Sequence, residues 1–469
     1  MKLSAAVFSA LLFSTASAGP LSRRQSNQTQ NQNQRAGTPM SPARGSAVGA
    51  AYFISNEPTG NQIIAADIGT DGKLTLRRAV DAGGLGAHGN TDPNGPDPLF
   101  SQGAIKASSS GNIVATVNAG SNTLAVFKVN PNDPTAITMI GKPVGSGGEF
   151  PVSLAINKAG DTVCSLNGGA VNGVNCFKVD QHKGLVPIAN TARSLKLNQT
   201  TPATGPPGTA SHIVFSEDNK QLIASIKGIP PQPGFLAVFD VASDGSLSQD
   251  FQSVAPAKGG LLPFSLTVIP GKNAVLATDA GLGFDIFDFA RNAGAGNAIA
   301  GAGRSSAVAI DGQVATCWSS FSPETQNFYL TDIGTATVTE ISVDNNLKGT
   351  IVKQYPQGQG SGTIDNDIAT VGNNDFMYVL SANATRIDVL SLNAPGKARN
   401  IQKLDIAGPA RASGVKIDGN NLQGMTTFIK KRVLHTLWPG KTYRELQNAG
   451  LVQEERFAKD RRGKVYRHL

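Results

Sequence analysis

Seven polar residues stand at or near the starts of apolar runs in the 469-residue sequence: His88, Glu149, His212, Arg304, Asp365, Asp367 and Arg411. Their types divide by chemistry. Histidine and carboxylates donate or accept protons, and arginine grips an anionic group with a planar fork of donors. Such a set suits acid–base chemistry on an anionic substrate, provided that the fold gathers residues far apart in sequence. For each a simpler reading stands beside this one: a histidine that satisfies a backbone carbonyl inside the fold, and loop charges that face water. Three Cys and five scattered His offer no metal-ligand spacing, so neither a metal nor another cofactor is expected.

The elements that must position these residues show as an internal repeat. A hydrophobic-x-hydrophobic triplet recurs seven times: Ala66-Asp67-Ile68, Phe127-Lys128-Val129, Phe177-Lys178-Val179, Phe239-Asp240-Val241, Phe287-Asp288-Phe289, Ile341-Ser342-Val343 and Leu390-Ser391-Leu392. Ahead of each triplet lies a β-rich run behind a turn signal, at 52–55, 113–118, 162–166, 221–226, 274–278, 327–331 and 376–380. Six of these runs are preceded by a further apolar strand, at 104–107, 152–156, 212–215, 264–268, 316–321 and 368–371. The missing seventh partner is expected at 413–417, so that the C-terminal part pairs with the N-terminal part. Fifty-three Gly and few aromatics suit short strands and tight turns. The expected fold is an all-β seven-bladed β-propeller over residues 48–429, closed by pairing of its terminal strands. Closure hides sheet edges that would otherwise recruit other chains.

Outside that ring, residues 1–18 read as a secretory signal peptide, with Lys2 at the start, an apolar stretch at 3–13 and the small-residue site Ala16-Ser17-Ala18. Arg23-Arg24 ends a short propeptide, 19–24, which leaves Gln25 as the mature N-terminus. Residues 25–47, rich in Gln, Asn, Ser and Pro, are expected as a disordered arm. The basic tail, 430–469, carries +7 of the chain's formal charge of +8 and includes a possible amphipathic helix at 443–457. Its charge sits in one appendage and lacks a recognised module, which argues against nucleic acid as a partner. No second long apolar run follows the signal, so no membrane span is expected, and the protein reads as a secreted, extracellular or cell-wall monomer. Secretion permits a disulfide, expected between Cys164 and Cys176 across adjacent strands, and glycans at the sequons of Asn27, Asn198 and Asn383. Cys317, beside Trp318, reads as a small buried hydrophobe.

The repeated Asp-Gly-x-Leu turn (Asp71-Gly72-Lys73-Leu74, Asp244-Gly245-Ser246-Leu247) after a hydrophobic strand resembles the lactonase family of seven-bladed propellers. That family includes propeller-type 6-phosphogluconolactonases and carboxymuconate cyclases. Ala51-Tyr52-Phe53-Ile54-Ser55-Asn56 and the signal peptide look most like its secreted fungal glycoproteins, and the likeness spans about residues 50–429. The resemblance implies a lactone or carboxylate substrate, handled where the long connections 83–102, 141–151, 190–211 and 292–314 gather at one end of the channel. It implies His212 as proton carrier, since the family places a histidine at the start of an inner strand in His-x-x-x-Phe; Glu149 is its carboxylate complement. Arg304 and Arg411 would clamp the anion, with His88, Asp365 and Asp367 as further substrate contacts. The pattern also departs from the family. Glu217-Asp218 replaces the usual Pro-Asp, and Pro151-Val152-Ser153-Leu154 and Pro263-Phe264-Ser265-Leu266 lack the His or Arg of active relatives. Two readings follow: a lactonase or muconate-type cyclase, and a noncatalytic secreted glycoprotein, an adhesin or antigen, that binds an extracellular ligand through the propeller.

Overall fold

Runs such as Ile113–Asn118 and Ala274–Asp279 are buried at every position, so both faces of their sheets must be covered. Sheets set side by side around an axis meet that demand, because each blade covers its two neighbours. The computed structural model describes residues 37–41, 47–90, 95–289 and 304–430, together with the short strands Ala458–Lys459 and Val465–Tyr466. Seven antiparallel sheets, each built on four strands, form the ring. The inner strands of blades one to seven are Gln423–Ile429, Ile105–Ser108, Pro151–Ile156, Ala210–Phe215, Pro263–Val268, Thr316–Ser322 and Thr363–Val371. Each touches the next, and the seventh touches the first. The chain is a seven-bladed β-propeller.

Closure joins the chain's two ends as expected but through a different segment: Gln423–Ile429, not 413–417, pairs with Gly49–Ile54. The reason is local. Asp405 receives the N–H groups of Ala407 and Gly408 and starts the helix Ala407–Ala412; Gly414 then turns the chain at a φ of +72°. Residues 413–417 are spent leaving that helix, and the Met425-Thr426-Thr427-Phe428-Ile429 run supplies the β-branched strand. A second difference lies in the expected arm, where Thr38–Pro39 pairs with Arg78 and Ala79 on the outer edge of blade one. The signal peptide, the dibasic site, Asn27, the rest of the arm and the tail beyond Lys430 lie outside the described residues, the two short strands apart.

Cys164 and Cys176 are register partners on adjacent strands of blade three and are joined by a disulfide. Cys317 is buried and free. Its neighbour Trp318 packs edge-on against Phe264 of the preceding blade, with ring centroids 5.2 Å apart.

Six of the inner strands begin with a register shift against their partners, at Gln423/Thr426, Pro151/Ser153, Ala210/His212, Pro263/Leu266, Thr316/Trp318 and Thr363/Asn366. A bulge frees backbone groups from the ladder, and each must find another partner. Hydroxyls on the second strands supply it. Ser225 donates to Phe264 O, Thr278 to Cys317 O and Thr331 to Ile364 O, in each case across to the next blade. These bulges all sit at the end of the ring where the long blade-to-blade connections arrive, and they set the shape of the channel mouth.

Candidate functional site at the channel mouth

The connection into blade two does not stop at the rim. Its last residues, Asp97 to Gly103, take left-handed backbone angles at Asp97 (φ +65°), Phe100 (+54°) and Gly103 (+89°), and enter the axis. Ser101 Oγ donates to Val152 O of blade three (2.8 Å), and Gln102 N donates to Ser211 O of blade four (3.2 Å). Ser101 O receives Trp318 Nε1 of blade six and Gln423 Nε2 of blade one, both at 2.9 Å. The Gln102 amide brackets Ser319, donating to its carbonyl (3.0 Å) and accepting from its N–H (3.1 Å). Only a segment lying on the axis reaches that many blades. At Gly103 a Cβ would fall 2.8 Å from Ser153 Oγ and 3.1 Å from the His212 ring, so glycine is required by space as well as by φ.

Beneath this segment lies a buried pair of opposite type. Lys227, just past the second strand of blade four, donates its Nζ to Phe100 O (2.7 Å) and to Ser211 Oγ, and rests 4.3 Å from the centroid of Phe264. Burial pulls its pKa down to about 7, against the opposing charge of Asp97. Asp97 is pushed up to about 7 by burial, with Lys227 and the N–H of Ser101 pulling the other way. Amine and carboxyl are thus drawn toward the same near-neutral range.

His212, Asp365 and Asp367 do meet at the channel, where each satisfies a backbone N–H that a neighbouring inner strand turns away from its own blade. Leu266 N donates to His212 Nδ1 (2.9 Å), Gly424 N to Asp365 Oδ2 (2.7 Å) and Thr427 N to Asp367 Oδ2 (2.7 Å). Ser153 does the same for Ile213 N, and Thr426 for Ala107 N. His212 serves a backbone donor, not the carbonyl of its simpler reading. Burial, helped by the Lys106 charge, holds its pKa well below the usual histidine range. Burial, reinforced by Asp97, pushes Asp365 up to about 8; Asp367 is raised by burial too, with Lys106 opposing.

The other expected residues do not join them. His88 is held by two carbonyls of its own loop, those of Gly89 and Gly95. Glu149 accepts from Thr201 Oγ1 (2.5 Å) on the rim. Arg411 is exposed on the helix Ala407–Ala412 at that same end. Arg304 pairs with Asp288 (2.8 Å) at the far end of blade five's third strand, so it belongs to the opposite end of the ring and to its outer edge. Also at that opposite end, blades four and five enclose a groove of 580 Å³ edged by Glu217, Lys220, Asp240 and Lys272.

Sequence reasoning missed Asp97, Lys227, Lys106, Gln102 and Gln423. One signal was present for Lys227. Blades two and three end their second strands Thr116-Val117-Asn118 and Ser165-Leu166-Asn167, whereas blade four has Ser225-Ile226-Lys227, a cation where its neighbours carry an amide.

Residues 50–196 match the family described as Lactonase, 7-bladed beta-propeller. Over that stretch the chain is similar to the lactonase family of propellers. Its fold is shared with a provisionally assigned 6-phosphogluconolactonase of Bacteroides fragilis (14% identity, 82% of this chain and 100% of that one, TM-score 0.55). It is shared equally with the periplasmic gluconolactonase of Pseudomonas aeruginosa (14% identity, 76% and 96%, TM-score 0.54). No curated protein sequence matches the chain. Among the described residues no helix is long and apolar enough to cross a membrane.

Proposed function

We propose that the chain opens or forms a lactone of a small carboxylic acid at the mouth of the channel, as a secreted enzyme of carboxymuconate cyclase-like or gluconolactonase-like activity. The observation that carries this reading is the Asp97–Lys227 pair. Lactone opening needs a base for the attacking water and a donor for the departing alkoxide. A carboxyl and an amine drawn toward neutrality supply both forms at one pH. Lys227 takes over the proton-carrying role from His212, whose Nδ1 is committed to Leu266 N–H. Of the two expected arginines, Arg411 is the one at this end to hold a carboxylate. Phe100 and Ser101 cover the pair, so catalysis requires the Asp97–Gly103 segment to shift. The test is turnover of a panel of aldonolactones and muconates by the purified protein. Lys227→Met, checked for an intact melting transition, is expected to lose at least about 100-fold in kcat/KM, while Glu149→Gln keeps it. Wild-type turnover by Lys227→Met, or none by the parent on any substrate, refutes the reading.

A second reading, a noncatalytic glycoprotein that binds a partner at this end, is favoured by the same covering segment, whose hydrogen bonds to five blades make the mouth a floor. Leu85, Val171 and Ile229 are exposed on loops around it. Partner binding that survives Lys227→Met supports this alternative. Both readings include secretion and glycans at Asn198 and Asn383, which are exposed on connections at this end. N-terminal sequencing that starts at Gln25 and a glycosidase-sensitive mass are the expected results.

A further inference from the structure

Below the Asp97–Gly103 segment, two buried polar atoms have no hydrogen-bond partner among the described residues. Because His212 Nδ1 accepts the Leu266 N–H, the proton of the neutral ring sits on Nε2. Nε2 is buried and has no partner among the described residues. Asp365 Oδ2 accepts from both Gln423 Nε2 (2.6 Å) and Gly424 N (2.7 Å), so the proton that burial retains belongs on Oδ1. Oδ1 is equally buried and equally without a partner among the described residues. Lys106, half-buried on the inner strand of blade two, brings a third donor, and its charge acts on His212, Asp365 and Asp367. Asp367 is already committed, with Oδ2 to Thr427 and Oδ1 to Ile368 N.

The stretch from Gly103 to Lys106 ties these groups together. A Cβ on Gly103 would lie 3.1 Å from His212 Nε2, and one on Gly424, the residue bonded to Asp365, would lie 3.4 Å from Ile105 N. A buried donor without an acceptor is costly. An ammonium among these donors sets the sign of the missing group.

We propose that the channel beneath Asp97–Gly103 binds a small monovalent anion, of halide or formate size, through His212 Nε2–H, the Asp365 carboxyl and Lys106. This site stands whether or not the protein processes lactones. The test uses bromide as the probe. Crystals of the full chain soaked in sodium bromide are expected to show an anomalous peak within hydrogen-bond distance of His212 Nε2. In solution, replacing isethionate by bromide at constant ionic strength is expected to raise the melting temperature, with an apparent affinity at least tenfold weaker in Lys106→Met. The readout is the bromide-dependent increment, which does not depend on the variant's own stability. His212→Gln, which keeps an acceptor for Leu266 N–H, provides a second variant with the same expected weakening. Water alone at the position in bromide-soaked crystals, or an undiminished bromide effect in both variants, overturns the proposal.

Discussion

Asp365 offers the sharpest test of how the inner strands are held together, because its carboxyl does a neutral group's work. In the folded chain burial pushes its pKa up to about 8 from the ordinary 3.8. The native state therefore keeps a proton that the unfolded chain releases, and folding stability falls as pH rises from 3.8 toward 8. One retained proton corresponds to about 1.4 kcal/mol per pH unit, or about 4 kcal/mol between pH 5 and pH 8. Asp365→Asn removes that dependence while preserving the geometry. Its amide oxygen can accept from Gln423 and Gly424 as Oδ2 does, and its NH2 replaces the proton-bearing oxygen. Urea denaturation from pH 5 to pH 9, followed by the fluorescence of buried Trp318, measures the effect. The variant's stability minus the wild type's is expected to climb by about 4 kcal/mol across pH 5–8 and then level off. Parallel curves for the two proteins would mean that Asp365 is ionised in the fold and that the assignment of its proton is wrong.

Three further outcomes are expected. Lys227→Met leaves the Asp97 carboxyl buried without its cation and removes the donor to Phe100 O, which costs about 3 kcal/mol in chemical denaturation; adding Asp97→Asn recovers part of the loss, and strict additivity would show the two groups to be uncoupled. Gly103→Ala, at φ +89° with its Cβ 2.8 Å from Ser153 Oγ, is expected to cost about 1–3 kcal/mol and to lower the melting temperature; an unchanged transition would show that the axis segment is loosely seated. Asp285 is buried beside Asp279, whose carboxylate is tied to Leu261, Leu262 and Gly281 N–H, and burial and that neighbour both raise its pKa. Asp285→Asn is therefore expected to stabilise the protein progressively as pH rises above the usual carboxyl range, and a stabilisation that does not change with pH contradicts a protonated Asp285 in the fold.

The ring was legible because strand periodicity survives seven repetitions and needs no knowledge of partners. Blade boundaries follow from the seven hydrophobic-x-hydrophobic triplets. The closing strand was less so: 413–417 and 423–429 both contain apolar residues, and what separates them is the helix Ala407–Ala412, begun just after Asp405 and left through Gly414, a local event that repeat matching does not weigh. The axis segment was not legible at all. Asp97 to Gly103 reads as the end of one of the long rim connections, and its path into the axis is set by side chains of four other blades, among them Gln423, 322 residues away.

The polar residues at inner-strand starts show why residue type and position brought three of the seven, His212, Asp365 and Asp367, to the channel and left their role open. A propeller removes the outer hazard of sheet edges but leaves each blade with an inner edge whose N–H groups face the axis. Any blade can silence its neighbour's edge with a hydroxyl, an imidazole or a carboxylate, and Ser153, His212, Asp365, Asp367 and Thr426 all do so. Seen from the sequence, that structural duty and a catalytic one call for the same side chains in the same places. What separates them is the accounting of each polar atom. Both oxygens of Asp367 are spoken for, whereas His212 and Asp365 each satisfy the edge with one atom and hold the other toward the channel. Chemistry at this axis therefore rests on those remaining atoms, on Lys106, and on the near-neutral Asp97–Lys227 pair that the inner edges do not require.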